Sequence, residues 1–183
     1  QFPERHPYVL LSMTVSGRNL DDEPYWNRLV QLLGSVTMES VMADPEVQRR
    51  CAQVVSDNRA YRAYLRRHTT VKGVVAVTDF RTLGKTPRGN RFLVYSMFPE
   101  TVVQMKIRLG DRDPRRVIVS VGHSIFNRNC RVNVGALLAR YGGGGHRGAG
   151  SCSLPADRAD ADIAAILAVL MRNEPIDEER PPS

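Results

Sequence analysis

Four consecutive glycines, Gly142-Gly143-Gly144-Gly145, lead directly into His146 and Arg147 and then into Gly148-Ala149-Gly150. Glycine loses more conformational freedom on folding than any other residue, so the interior of a helix or strand gains nothing from such a run. The run reads as a loop of bare main chain, able to take positive φ and to lie directly against a ligand. Successive N–H groups can there form a concavity that binds anions. His146 and Arg147 add directed donors at its edge, and a guanidinium suits two-point contact with phosphate. The other reading, a flexible glycine-rich linker, sits poorly with flanks that are strongly patterned.

Before the run, Val134, Leu137, Leu138 and Tyr141 recur at i, i+3, i+4, i+7, the core stripe of a short helix. Asn133 is placed to cap its start, and Gly142 stands where a C′ glycine belongs. After the run, Ser151-Cys152-Ser153-Leu154 reads as a short strand stopped by Pro155. The predicted order is helix, glycine loop, strand. A Walker A loop runs strand, loop, helix and ends in Gly-Lys-Ser/Thr. The dinucleotide fingerprint also needs a strand before and a helix after. Phosphate loops of the ATP or NAD type are therefore excluded.

The chain has 183 residues and is 42% hydrophobic, enough for one medium domain or two small ones with a real core. It has no apolar run of about 18 residues that could span a membrane, and no secretory signal is visible. Cys51, Cys130 and Cys152 are far apart and form no Cys-x-x-Cys pair. They read as free, mostly buried thiols in a reducing, cytoplasmic setting. The formal net charge is +7, supplied mainly by arginine, and suits a phosphate-bearing partner such as nucleic acid or polyphosphate. Because the first residue is Gln1, the chain is expected to be a piece of a longer or processed protein.

Composition divides the chain near residue 70. The first part is helical. Tyr8 to Met13 is a short apolar run. Pro24 opens a helix with Trp26, Leu29, Val30 and Leu33 as its stripe and Gly34 as its end. Asp44-Pro45-Glu46 combines a cap, an N1 proline and an acidic first turn. The helix that follows should run to about Arg67. Its expected buried face is Val47, Cys51, Val54, Val55, Tyr61 and Leu65, and Arg49, Arg50, Arg59, Arg62, Arg66 and Arg67 are expected to be solvated.

The second part reads as strands mixed with helices. Val71 to Asp79 is a β-rich run, Gly84 to Asn90 a loop, and Arg91 to Met97 a short helix. Val103, Met105, Ile107 and Leu109 alternate with polar residues, as in a half-buried strand. A turn at Asp111-Arg-Asp-Pro114 leads to a strand from Arg116 to Val121, which reaches Gly122-His123-Ser124. A last helix runs from about Asp157 to Arg172. The fold class expected is α/β: a helical N-terminal segment, then a mixed β-sheet domain covered by helices.

In a compact sheet two polar loops should come together: Gly122-His123-Ser124 with Asn127 and Arg128, and the glycine loop with Gly143, Gly144, Gly145, His146 and Arg147. The set is rich in donors and suits phosphate and ribose oxygens. It is poor in carboxylates, with no acid/base pair and no metal cluster. His6 and His68 read as surface residues. His123 is either a ligand or a structural histidine at a strand end, and Arg128 either a ligand or a solvated loop residue.

"NVGALLARYGGGGHRGAG", Asn133 to Gly150, closely resembles the signature of the DHH-associated C-terminal domain of DHH-family phosphoesterases. "SVGHSIFNRNCRVNVG" and "GNRFLVYSMFPE" resemble the branch labelled exopolyphosphatase-related proteins. The resemblance covers nearly all of the chain and is strongest from about residue 89 to 152. It implies residues 1–68 as a helical remnant of the catalytic domain and connector, 69–173 as the DHH-associated domain, and 174–183 as a disordered tail. It also implies Gly143, Gly144, Gly145 and His146 as the substrate-binding loop and Ser124 as a nearby substrate-binding serine. His123 stands where many relatives carry arginine. The family's catalytic domain carries Asp and His ligands, with an Asp-His-His triplet, for two metal ions, usually manganese. This chain has four histidines, none adjacent, and no such triplet. The resemblance thus implies the C-terminal part of a longer enzyme, with no catalytic or metal-binding residue of its own, which could form a homodimer through the parent chain. Its substrate would be a short oligonucleotide, a cyclic dinucleotide or a polyphosphate. The other function considered is a non-catalytic nucleic-acid or polyphosphate binding module, as in the related domain that ends alanyl-tRNA synthetases.

Overall fold

The computed structural model describes residues 6–15, 22–83, 87 and 89–176. Gly84, Lys85 and Arg88 of the expected loop, and residues 177–183 of the expected tail, lie outside the described residues. The chain divides into two compact units, Gln1–Tyr61 with Arg88–Asn90, and Arg62–Pro87 with Arg91–Ser183.

The first unit is helical: α1 (Pro7–Thr14), α2 (Glu23–Ser35), α3 (Met38–Ala43) and most of α4 (Pro45–His68). Its core joins Leu10, Leu11, Tyr25, Leu29, Val41, Val47 and Cys51. Full burial of side chains such as Val41 and Val47 contributes about 1.5–3 kcal/mol each. Two details differ from expectation. On α2 the core face is Tyr25 and Leu29, whereas Val30 and Leu33 are 69% and 48% exposed. Both stripes have helical spacing, and packing against α1, α3 and α4 selects the first. Gly34 does not end the helix, which continues to Ser35. Arg50, expected to be solvated, instead pairs with Asp22 and Glu46 and stacks 3.9 Å over the Tyr25 ring.

Asp44 starts α4 as expected. Its Oδ1 accepts from the amides of Glu46 (3.0 Å) and Val47 (3.2 Å), and its other oxygen meets Arg28. The Arg28 hydrogen bond, aided by these amides, holds the carboxyl below its ordinary range. A carboxyl depressed in the folded state stabilises above its unfolded pKa, near 4, and that contribution is lost as pH falls through the folded value. Asp44→Asn should therefore lower the melting temperature more at pH 7 than at pH 3, below the unfolded value. An equal loss at both values would assign the effect to the cap and not to the ion pair.

The second unit carries β1 (Thr69–Lys72), β2 (Val75–Asp79), α5 (Leu93–Met97), β3 (Val103–Leu109), β4 (Arg116–His123), α6 (Val134–Ala139), β5 (Gly144–His146), β6 (Ala149–Pro155) and α7 (Ala159–Arg172). The fold class is α/β. The strands form one mixed sheet in the order β1-β2-β3-β4-β6-β5, with β2 and β3 parallel and every other pair antiparallel. Val103, Met105, Ile107, Val117, Val119, Val121, Cys152 and Leu154 pack with Val134, Leu137 and Leu138 of α6 and Ile163, Ile166 and Leu170 of α7. The period-2 alternation places these residues on one face. The single run expected from Val71 to Asp79 is two strands, because Gly73 at φ 55° turns the chain back on itself. Among the described residues no helix is long and apolar enough to cross a membrane.

Candidate functional site

The glycine run is not a free loop. Gly144–His146 form β5, a three-residue edge strand paired with β6 in the register Gly144↔Ser151, Gly145↔Gly150, His146↔Ala149. Strand pairing satisfies main-chain groups that composition alone would leave in a loop. Gly142 does what its position predicts. At φ 69° it closes α6, its N–H reaching Ala139 O (3.1 Å) while the Gly143 N–H reaches Leu138 O (3.0 Å). These two bonds are the Schellman pair. Asn133 caps the other end, accepting from the Ala136 amide at 3.2 Å.

Arg147-Gly148 form the two-residue tip of the β5–β6 hairpin, and three contacts hold that tip. The Val134 amide donates to Arg147 O (3.0 Å), the His123 amide donates to Gly148 O (2.8 Å), and the Gly148 amide donates to His146 Nδ1 (3.1 Å). His123 closes β4 as its last residue, inside the strand and not in the loop after it. The two polar segments do meet, with His123 and His146 both beside Gly148. A Cβ at Gly148 would lie 3.6 Å from His146 Nδ1 and 3.8 Å from His123 Nδ1.

These bonds assign the ring tautomers. His146 Nδ1 accepts a proton donor, so in the neutral ring Nε2 carries the hydrogen and is left to donate outward from an exposed side chain. His123 carries its hydrogen on the same nitrogen but leaves the other one free. Its Nε2 lies 3.0 Å from Val132 O, an acceptor only, so Nε2 carries the hydrogen and Nδ1 faces the hairpin as an acceptor. Burial first, then the charges of Arg147 and His146, lower the pKa of His123, against the Val132 bond, so it is neutral at pH 7. A neutral His123 suits a ligand hydroxyl at Nδ1; a phosphate oxygen needs the donors of His146 and Arg147.

Space distinguishes the glycines. A Cβ on Gly143 would fall 2.3 Å from Ser151 O, and one on Gly145 2.2 Å from Ala149 O, whereas one on Gly144 meets nothing within 4 Å. Internal packing therefore leaves Gly144 unexplained and its outer side open. The remaining expected residues serve the neighbouring loop. Ser124 is buried, and its hydroxyl accepts from the amides of Phe126 (3.3 Å) and Asn127 (3.1 Å). The Asn127 amide group donates to Glu100 O (3.3 Å), and Arg128 Nε reaches Ile125 O (3.4 Å) with the side chain exposed. Sequence reasoning overlooked Val132 and Gly148, which set the two tautomers. The glycine two positions after His146 was the available signal for the second.

The arrangement is a small exposed set of donors, an imidazole and a guanidinium near an open glycine, suited to an anion. It does not fit a divalent metal. Among the described residues no three His, Cys, Asp or Glu side chains gather into a group that could hold one. The rim also offers a guanidinium where a metal needs carboxylates or further imidazoles. The manganese pair that the resemblance implies finds no ligands in this set.

No family model matches the chain, and no curated protein does. Solved structures do. A pGpG-specific phosphodiesterase from Vibrio cholerae superposes with a TM-score of 0.86 at 22% identity, over 94% of this chain and 62% of its own length. An exopolyphosphatase-related protein from Bacteroides fragilis superposes with a TM-score of 0.52 at 12% identity, over 90% of this chain and 48% of its own. The chain thus spans less than two thirds of either protein, and at these identities the likeness is one of fold: this chain folds as a part of the pGpG-specific phosphodiesterase does.

Proposed function

We propose that this chain is the substrate-gripping part of a metal-dependent phosphoesterase, a hydrolase of phosphodiester or phosphoanhydride bonds in short oligonucleotides or related phosphate compounds. One observation carries the proposal. The hairpin tip is tied to α6 and β4 and braced by its own His146–Gly148 bond, which leaves His146 Nε2–H free on an exposed ring, Arg147 exposed beside it and Gly144 open two residues earlier. The phosphate sits against Gly144 and takes hydrogen bonds from His146 Nε2 and the Arg147 guanidinium. His123 Nδ1 accepts from a sugar hydroxyl. The likeness to a phosphodiesterase over most of the chain supports this reading. The hydrolytic metals, two manganese ions by the family resemblance, belong to residues outside this chain. Three cysteines without disulfides suit a reducing, cytoplasmic setting.

Calorimetry with a 5′-phosphorylated dinucleotide tests the grip. His146→Ala should weaken binding about tenfold or more, since a hydrogen bond to a charged group contributes roughly 1.5–3 kcal/mol. Identical affinity for both forms removes His146 from the site. The chain alone should show no manganese-dependent hydrolysis of a model diester; turnover abolished by EDTA would overturn the division of labour between grip and metals.

A further inference from the structure

The loop after β4 carries an aromatic ring that the anion site does not use. Ile125 and Phe126 are 40% and 54% exposed. Among the described residues no ring or cation packs on Phe126. A scattered exposed apolar residue needs no explanation, but this one sits on a braced support. The Ser124 amide donates to Val102 O (2.8 Å), the Ser124 hydroxyl takes the Phe126 and Asn127 amides, and Asn127 ties the loop to Glu100. The polar groups of the loop are spent on holding its backbone, while its two largest apolar side chains stay in solvent. Phe126 is three residues from His123, at most about 10 Å of chain, and His123 borders the hairpin tip.

We infer that Phe126 is a stacking platform for the base of a nucleotide whose phosphate is held at the hairpin tip, which makes it the residue that separates nucleotides from inorganic polyphosphate. The inference rests on the anion site proposed above. An aromatic face accepts any base, and its removal weakens binding by about tenfold per stacked base. Inorganic phosphate chains have no surface to offer the ring and gain nothing from it.

The test uses the whole chain and two probes, a 5′-phosphorylated dinucleotide and inorganic tripolyphosphate, titrated by calorimetry. Phe126→Ala should weaken the dinucleotide about tenfold and leave tripolyphosphate unchanged, and Phe126→Trp should restore or tighten the dinucleotide. Thermal melts of both variants should match the parent, because the ring is exposed. Equal loss of both probes, loss of neither, or a tryptophan variant no better than alanine overturns the inference. His146→Ala, measured in parallel, separates the two readings. If it weakens both probes while Phe126→Ala weakens neither, the anion site stands and the platform falls. If Phe126→Ala is base-selective and His146→Ala is silent, the platform stands and the anion site falls. No binding of either probe by the parent chain overturns both.

Discussion

Gly145→Ala is expected to destabilise the β-sheet unit by roughly 2–4 kcal/mol and to lower its melting temperature by about 10 °C. The backbone there stands at φ 152°, which side-chain-bearing residues rarely adopt, and the added Cβ would lie 2.2 Å from Ala149 O and 2.5 Å from the Gly150 Cα. Both obstacles are main chain in the paired strand, so no side chain can swing away to relieve them. The same substitution one residue earlier should behave oppositely. A Cβ on Gly144 meets open space at an ordinary φ, so Gly144→Ala should melt with the parent chain. Its cost should appear in binding, where the methyl group stands between the strand and a phosphate. Differential scanning calorimetry separates the two. If Gly144→Ala melts as early as Gly145→Ala, both glycines are structural and nothing marks residue 144 as a contact surface.

A second large loss is expected from Gly135→Ala, against what local propensity says. Gly135 lies in the second position of α6, where alanine should stabilise a helix by about 1 kcal/mol. The sheet side reverses the sign. A Cβ at 135 would fall 2.6 Å from Gly145 O, 2.9 Å from Gly145 C and 3.2 Å from His146 O. The Val134–Arg147 hydrogen bond, at 3.0 Å, fixes that spacing from the adjacent residue. Separation to ordinary van der Waals distance breaks this bond and pulls the hairpin tip from α6. The net effect expected is a loss of roughly 2–3 kcal/mol, together with weakened dinucleotide binding, because His146 and Arg147 ride on the displaced segment. Chemical denaturation measures the first and calorimetry the second. A stabilised Gly135→Ala variant would show that the helix and hairpin do not need this approach.

These two cases indicate which parts of the molecule are legible in one dimension. The caps at Asp44 and Asn133 and the closing glycine at 142 follow from groups a few residues apart, and the structure bears them out, while β3 alternates as expected except at Gln104, which is buried with its amide donating to the Thr78 hydroxyl. Where two answers had the same local pattern, the pattern did not choose. The stripe of Val30 and Leu33 is as well spaced as that of Tyr25 and Leu29, and only neighbouring helices select the buried one. The turn at Gly73 was hidden because valines continue on both sides of it. In the site, the glycine run, His123 and His146 stood out by residue type, and the structure brings them together around Gly148. Their proton positions were illegible, since each is set by a carbonyl or amide seen only once strands pair.

Sequence alone determined that residues 142–145 would be bare main chain leading into an imidazole and a guanidinium, that a capped helix would precede it, and that a helix-covered sheet would carry it. Tertiary structure decided that this main chain is an edge strand, that Gly143 and Gly145 are spent on close packing while Gly144 is left open, and that His146 donates outward where His123 accepts. The reason is physical: backbone preference and periodicity act over a few residues and are written in order along the chain, whereas spare space and proton placement arise from atoms that folding alone brings to the same point.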